Sequence, residues 1–156
     1  MADYTTKQYF GSPTTVISTA TDIAAAAFSG SPASTFNNAS NDTHAVAMAE
    51  FPDWAAAPVA NTVVDLYGLL KDVDSTDDDT DAPSGSAAGG ARYFGSWVIA
   101  AADALQRRTI VISLEGISSA MNVDFYIRNG TAQNMNNDGG TSCVVKITPF
   151  SYGITV

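Results

Sequence analysis

The sequence predicts an all-β domain: an antiparallel β-sandwich, jelly-roll-like, with an extended N-terminal arm and a long acidic loop. Three observations lead there. Short apolar or alternating runs recur between clusters of Gly, Pro, Asn and Asp, giving roughly seven to nine strands at regular turn spacing. The chain holds only two Glu and three Lys, so the Glu/Lys dressing that stabilises exposed helices is missing. Two apolar runs, TVVDLYGLL from Thr62 and RYFGSWVIA from Arg92, flank an acidic tract that must face water, which reads as strand, solvated loop, strand.

In chain order, residues 1–13 read as an arm in which Tyr4, Tyr9 and Phe10 precede the turn Gly11-Ser12-Pro13. Residues 14–156 read as a single sandwich domain, long enough to bury a core without disulfides or metal. Thr14 to Thr19 is a β-branched strand. Asp22 to Phe28 also reads as a strand, because seven residues are short for a helix despite four alanines. Asn37, Asn38, Asn41 and Asp42 mark a polar turn. His44 to Phe51 reads as a strand closed by Pro52. Trp54 after it is a core plug or an exposed anchor, and the area a Trp buries favours the plug.

The acidic tract carries Asp72, Asp74, Asp77, Asp78, Asp79 and Asp81. Asp77, Asp79 and Asp81 have the alternation of the first half of a calcium loop, which makes them candidate ligands for weak calcium binding. The second half is lacking: Ala82 stands where the turn needs Gly and Ala88 where it needs a bidentate Glu. Gly85, Gly89 and Gly90 then loosen the backbone. Arg107 to Glu115 and Asn122 to Arg128 alternate cleanly. Asn129-Gly130 and Asn136 to Gly140 read as turns, and Cys143 to Ile147 and Tyr152 to Val156 as two closing strands.

A net charge of -9 disfavours nucleic acid and anionic membrane as partners, since both need clustered Lys and Arg. The N-terminus shows no secretory pattern, so folding in a cytoplasm is expected. One His and one Cys provide no nucleophile-base pair, and no cofactor is expected. Cys143 in an apolar alternation reads as a small buried hydrophobe. Asp65 and Asp124 are the acids within strands, expected to face solvent as alternate residues rather than to act as a glycosidase pair. No catalytic residue is assigned, and the chain is expected not to be an enzyme.

The segments TFNNASND and AMAEF, then VVDLYGLLKDVDSTDDDTDAP and ARYFGSWVI, then TIVISLEG, FYIRNGTAQNM and VVKITPFSY resemble small virion structural proteins of tailed bacteriophages. The resemblance implies a capsid decoration or cement protein, or a head-fibre protein, used in repeated copies. Its expected partner is the major capsid protein or another virion protein. The expected location is the capsid surface, with a homo-oligomer, a trimer, as the expected assembly. It would place the arm residues Tyr4, Tyr9 and Phe10 against the partner. The alternative is a tail or fibre-associated sandwich that binds host-surface carbohydrate, with Trp54, Trp97 and surface Tyr side chains as stacking platforms.

Overall fold

Where apolar residues alternate with polar ones, one side of an extended chain can be buried and the other left wet. The computed structural model, which describes residues 5–72, 81–135 and 142–155, follows that logic. Nine strands form among the described residues: β1 (Thr5–Phe10), β2 (Thr14–Thr19), β3 (Phe36–Asn37), β4 (His44–Phe51), β5 (Val63–Asp72), β6 (Arg92–Val98), β7 (Gln106–Ser113), β8 (Met121–Asn129) and β9 (Cys143–Thr155). All pairings are antiparallel. Sheet I has the order β1-β9-β4-β7, with β2 also on β9, and sheet II the order β3-β8-β5-β6. The two stack as a β-sandwich.

The core lies between them. β4 buries Ala45, Ala47, Ala49 and Phe51, β8 buries Val123, Phe125 and Ile127, and β9 buries Cys143, Val145 and Ile147. The alanines of β4 leave room for Trp97 of β6, which is 1% exposed and donates its Nε1 hydrogen to the Ala47 carbonyl at 3.3 Å. Trp54 is also in the core, 4% exposed and beside Phe51, so it is the plug rather than the anchor. Each such side chain contributes about 1.5–3 kcal/mol through lost apolar surface.

Three expectations change. Asp22 to Phe28 is not a strand: Ala26 has φ 60°, and only isolated bridges join Ile23 to Met135 and Phe28 to Arg128. The buried Ile23 and Phe28 anchor its ends, and the alanines between offer no side-chain bulk to a ladder. The two closing strands are one, β9, running straight through Pro149. The Pro149 carbonyl accepts from the Gly11 amide at 2.8 Å, so the nitrogen of Pro149 faces the same edge, where Gly11 to Pro13 interrupts the facing strand and no donor is called for. Asn129 ends β8 as a buried hub instead of opening a positive-φ turn. Its Nδ2 donates to the Ile23, Ala24 and Gln133 carbonyls, and its Oδ1 accepts from Thr131.

Within the expected arm, residues 5–10 are β1, hydrogen-bonded along β9 from Thr5 opposite Thr155 to Phe10 opposite Phe150. That segment packs back along its own domain.

Gly68 in β5 lies under the core side chains of sheet II. A Cβ there would meet Val123 Cγ1 at 2.6 Å and Phe94 Cε2 at 2.7 Å. Gly68→Ala is therefore expected to cost about 1–3 kcal/mol through overpacking, read as a lower urea midpoint with unchanged slope.

Candidate functional site

The outer faces of the two sheets differ. On sheet II the chain folds back over its own surface: the Phe28 amide donates to the Gly85 carbonyl at 2.8 Å, and Phe28, Leu69 and Tyr126 cluster with Tyr67 and Ala88. Asp65 and Asp124 belong to this covered face and do not face solvent as expected. Asp124 is 5% exposed, accepts from Thr35 Oγ1 at 2.6 Å and pairs with Lys71 Nζ at 2.8 Å. Asp65 accepts from Ser96 Oγ at 2.6 Å and faces Arg128 at 3.7 Å. Charges removed from bulk water need such partners. Burial chiefly, and then the Asp124 charge, raises the Tyr126 phenol above its ordinary value, while Lys71 opposes the shift. The strands β5 and β8 bring these acids onto one face, each tied to its own cation.

The outer face of sheet I is open. Its rows follow from the register: Phe10, Phe150 and His44; Thr148, Val46 and Val111; Lys146, Met48 and Thr109; Val144, Glu50 and Arg107. Phe10, Met48, Val111 and Tyr152 are exposed large apolar side chains. In these rows Glu50 is the one carboxylate, and Arg107 holds it at 2.6 Å. Lys146 forms no ion pair among the described residues. Met48, Ala49, Glu50, Arg107, Val144 and Lys146 line a cleft of about 230 Å³. In a chain of net charge -9, this sheet face is apolar and locally basic.

At one end of the face an aromatic group gathers. Phe150 is buried between the Phe10 ring at 5.5 Å and the His44 ring, stacked at 5.6 Å with an interplanar angle of 21°. Tyr152 meets Phe150 edge-on at 5.6 Å, and His44 Nδ1 shares a hydrogen bond with Thr43 Oγ1 at 2.9 Å. Of the residues expected at a contact, Phe10 belongs to this group. Tyr9 lies on the opposite side of β1, its ring over Gly153, and Tyr4 lies outside the described residues. Phe150, Tyr152 and His44 are not among the residues expected at a contact. The signal available was the run Phe150-Ser-Tyr152 in a strand whose partner edge also carries aromatics.

The other expected sites are placed as follows. Asp77 and Asp79 lie outside the described residues. Asp81 is exposed, and its carbonyl accepts from the Gly90 amide at 2.9 Å; among the described residues no three His, Cys, Asp or Glu side chains group to hold a metal. Trp54 and Trp97 are both in the core, so neither is a surface platform for sugars, a correction to the carbohydrate alternative. The exposed aromatics among the described residues are Tyr9, Phe10, Tyr93 and Tyr152. Among the described residues no helix is long and apolar enough to cross a membrane. No protein-family model matches the chain, and neither does any curated protein or solved structure.

Cys143 is fully buried, and burial pushes its thiol from 9.0 up to about 12. The thiolate is the nucleophile, so this thiol is expected to resist a thiol reagent at pH 8 in the native protein and to react at once in urea. A raised pKa means that the folded state holds its proton more tightly. The associated stability is therefore complete below pH 9 and is lost as pH rises through about 12. Tyr126 acts in the same direction above its ordinary value of 10.0. Urea melts across that window are expected to show falling stability, with a shallower fall in Cys143→Ala and in Tyr126→Phe.

Proposed function

We propose that this chain is a non-enzymatic structural protein of a tailed-phage virion, a decoration or cement protein that binds the shell of the major capsid protein. The observation that carries the reading is the open outer face of sheet I, with Met48 45% and Val111 62% exposed beside an aromatic end. An apolar sheet face with few carboxylates, on an otherwise acidic chain, suits attachment to another protein surface. The opposite outer face, by contrast, covers and pairs its acids. The strand order supports a jelly roll. β2-β9-β4-β7 facing β3-β8-β5-β6 is the arrangement that two interleaved Greek keys give, an architecture known from viral capsid and lectin domains.

Chemistry weighs on the same side. The strand-borne acids are engaged by Lys71, Arg128, Thr35 and Ser96, and the thiol is protonated and enclosed, so these groups act as structure. In this reading the chain is assembled in a host cytoplasm and resides on the capsid surface, where the Phe10 and Tyr152 end and the sheet I face meet the shell.

Mass spectrometry of particles separated into heads and tails is expected to find the chain in heads, in fixed proportion to the major capsid protein. Recovery from tails alone would instead support a tail or fibre protein. Met48→Asp and Val111→Asp are expected to abolish rebinding to stripped shells while lowering stability by no more than about 1 kcal/mol, the span of strand propensity at exposed positions. Undiminished rebinding of both variants would reject sheet I as the attachment face.

A further inference from the structure

The edge of sheet I formed by β1 and β2 is finished in two ways. These strands run end to end along one side of β9. Beside β2 the chain returns, with the Ala33 amide donating to the Val16 carbonyl at 2.9 Å and Ser34 Oγ donating to the Thr15 carbonyl at 2.5 Å. Beside β1, no strand among the described residues pairs with the outer edge. The phase of that edge is known. Because the Gly11 amide bonds Pro149, odd-numbered residues of β1 turn their backbone groups toward β9, and Thr6, Gln8 and Phe10 turn theirs outward.

β9 also outruns β4, whose last pair is His44 with Phe150. β1 and residues 151–155 therefore form a two-stranded ribbon beyond the body of the sheet. A two-stranded ladder is marginal in water without a third strand or a covered face. This one carries exposed aromatics on both sides, Phe10 at 59% and Tyr152 at 61% on one and Tyr9 at 45% on the other.

We infer that β1 pairs with β1 of a second copy of this chain, antiparallel about a two-fold axis through Gln8, joining the two sheets I into one continuous sheet. Charge favours a second copy at this edge in particular. Two chains of net charge -9 repel, yet neither Thr5–Phe10 nor the stretch 150–155 contains an Asp or Glu. Geometry selects the register. An axis perpendicular to the sheet must pass through a residue pair, and at Gln8 it sets Gln8 opposite Gln8 and Thr6 opposite Phe10. These are the residues whose amides and carbonyls point outward, so about six new N–H···O bonds form. An axis through Lys7 would pair Thr6 with Gln8 and carry Phe10 past the end of the partner's β1, so fewer outward amides and carbonyls of β1 would meet. The result is an isologous dimer, unlike the trimer expected with the virion resemblance, and it stands whether or not the chain decorates a shell.

Sedimentation equilibrium of the purified full chain is expected to give a species of twice the 16.2 kDa chain mass, dissociating on dilution. Gln8→Pro removes an outward amide while leaving every β1–β9 donor in place, and it is expected to give a monomer with an unchanged thermal midpoint. Hydrogen exchange of the unaltered protein provides the second readout: the amides of Thr6, Gln8 and Phe10 become protected as concentration rises, while that of Tyr9 keeps its protection throughout. A monomer at all concentrations, a trimer, or a dimer whose Thr6, Gln8 and Phe10 amides exchange freely overturns the inference. A chain that dimerises in this way but binds no shell leaves the inference standing and defeats the virion reading alone.

Discussion

A proline in the middle of a three-way ladder constrains much of sheet I. β9 is flanked by β4 on one edge and by β1 and β2 on the other, a position where a residue without an amide hydrogen ordinarily breaks the sheet. Pro149 is accommodated because its bare nitrogen faces the stretch Gly11 to Pro13, where the opposing chain is itself interrupted. Gly11 is there for space as well, since a Cβ on it would approach Pro149 Cγ to 2.9 Å. The interruption divides one long N-terminal strand into β2, which belongs to the body, and β1, which follows β9 past the end of β4.

That division gives the molecule two kinds of surface. Over sheet II, residues near Phe28 and Ala88 lie against the strands, and the acids beneath them are held by Lys71 and Arg128. Breaking such a pair on one side leaves a charge without compensation, whereas the intact pair adds little net stability, so this face is built for fixed geometry. Over sheet I nothing comparable among the described residues is folded back on the rows through Met48 and Val111, whose apolar side chains are exposed. The attachment proposed for this chain would need one such face and a rigid body behind it. The alanine stripe of β4 with Trp97 laid against it lies in the middle of that body, where small residues facing a large one let the two sheets pack closely.

Much of the fold was legible in the residues. β2 and β4 begin and end where β-branched or alternating residues meet turn formers, and β7 and β8 alternate apolar with polar residues in sequence, although β8 is covered on both faces. Trp54 could be placed inside by its area alone. Cys143 could be read as buried because its neighbours alternate, and the enclosure that raises its thiol follows from that position. Of the aromatic group at the end of sheet I, Phe10 alone was singled out from the residues, since an aromatic in a terminal segment is conspicuous, whereas His44 and Phe150 are far apart in sequence and become neighbours only through the β1-β9-β4 register.

The sequence by itself determined the β class and most strand limits, because these depend on side-chain period and turn chemistry within a few residues. The tertiary structure alone decided that Asp22 to Phe28 forms no strand, that Pro149 can lie inside one, and that Asp65 and Asp124 are covered and paired. Each of these depends on which distant segment faces the residue: Met135 and Arg128 for the alanine run, Gly11 for the proline, Lys71 and Arg128 for the acids. Local propensity is a matter of fractions of a kcal/mol to about 1 kcal/mol per residue, and a buried pairing across the sheet outweighs it.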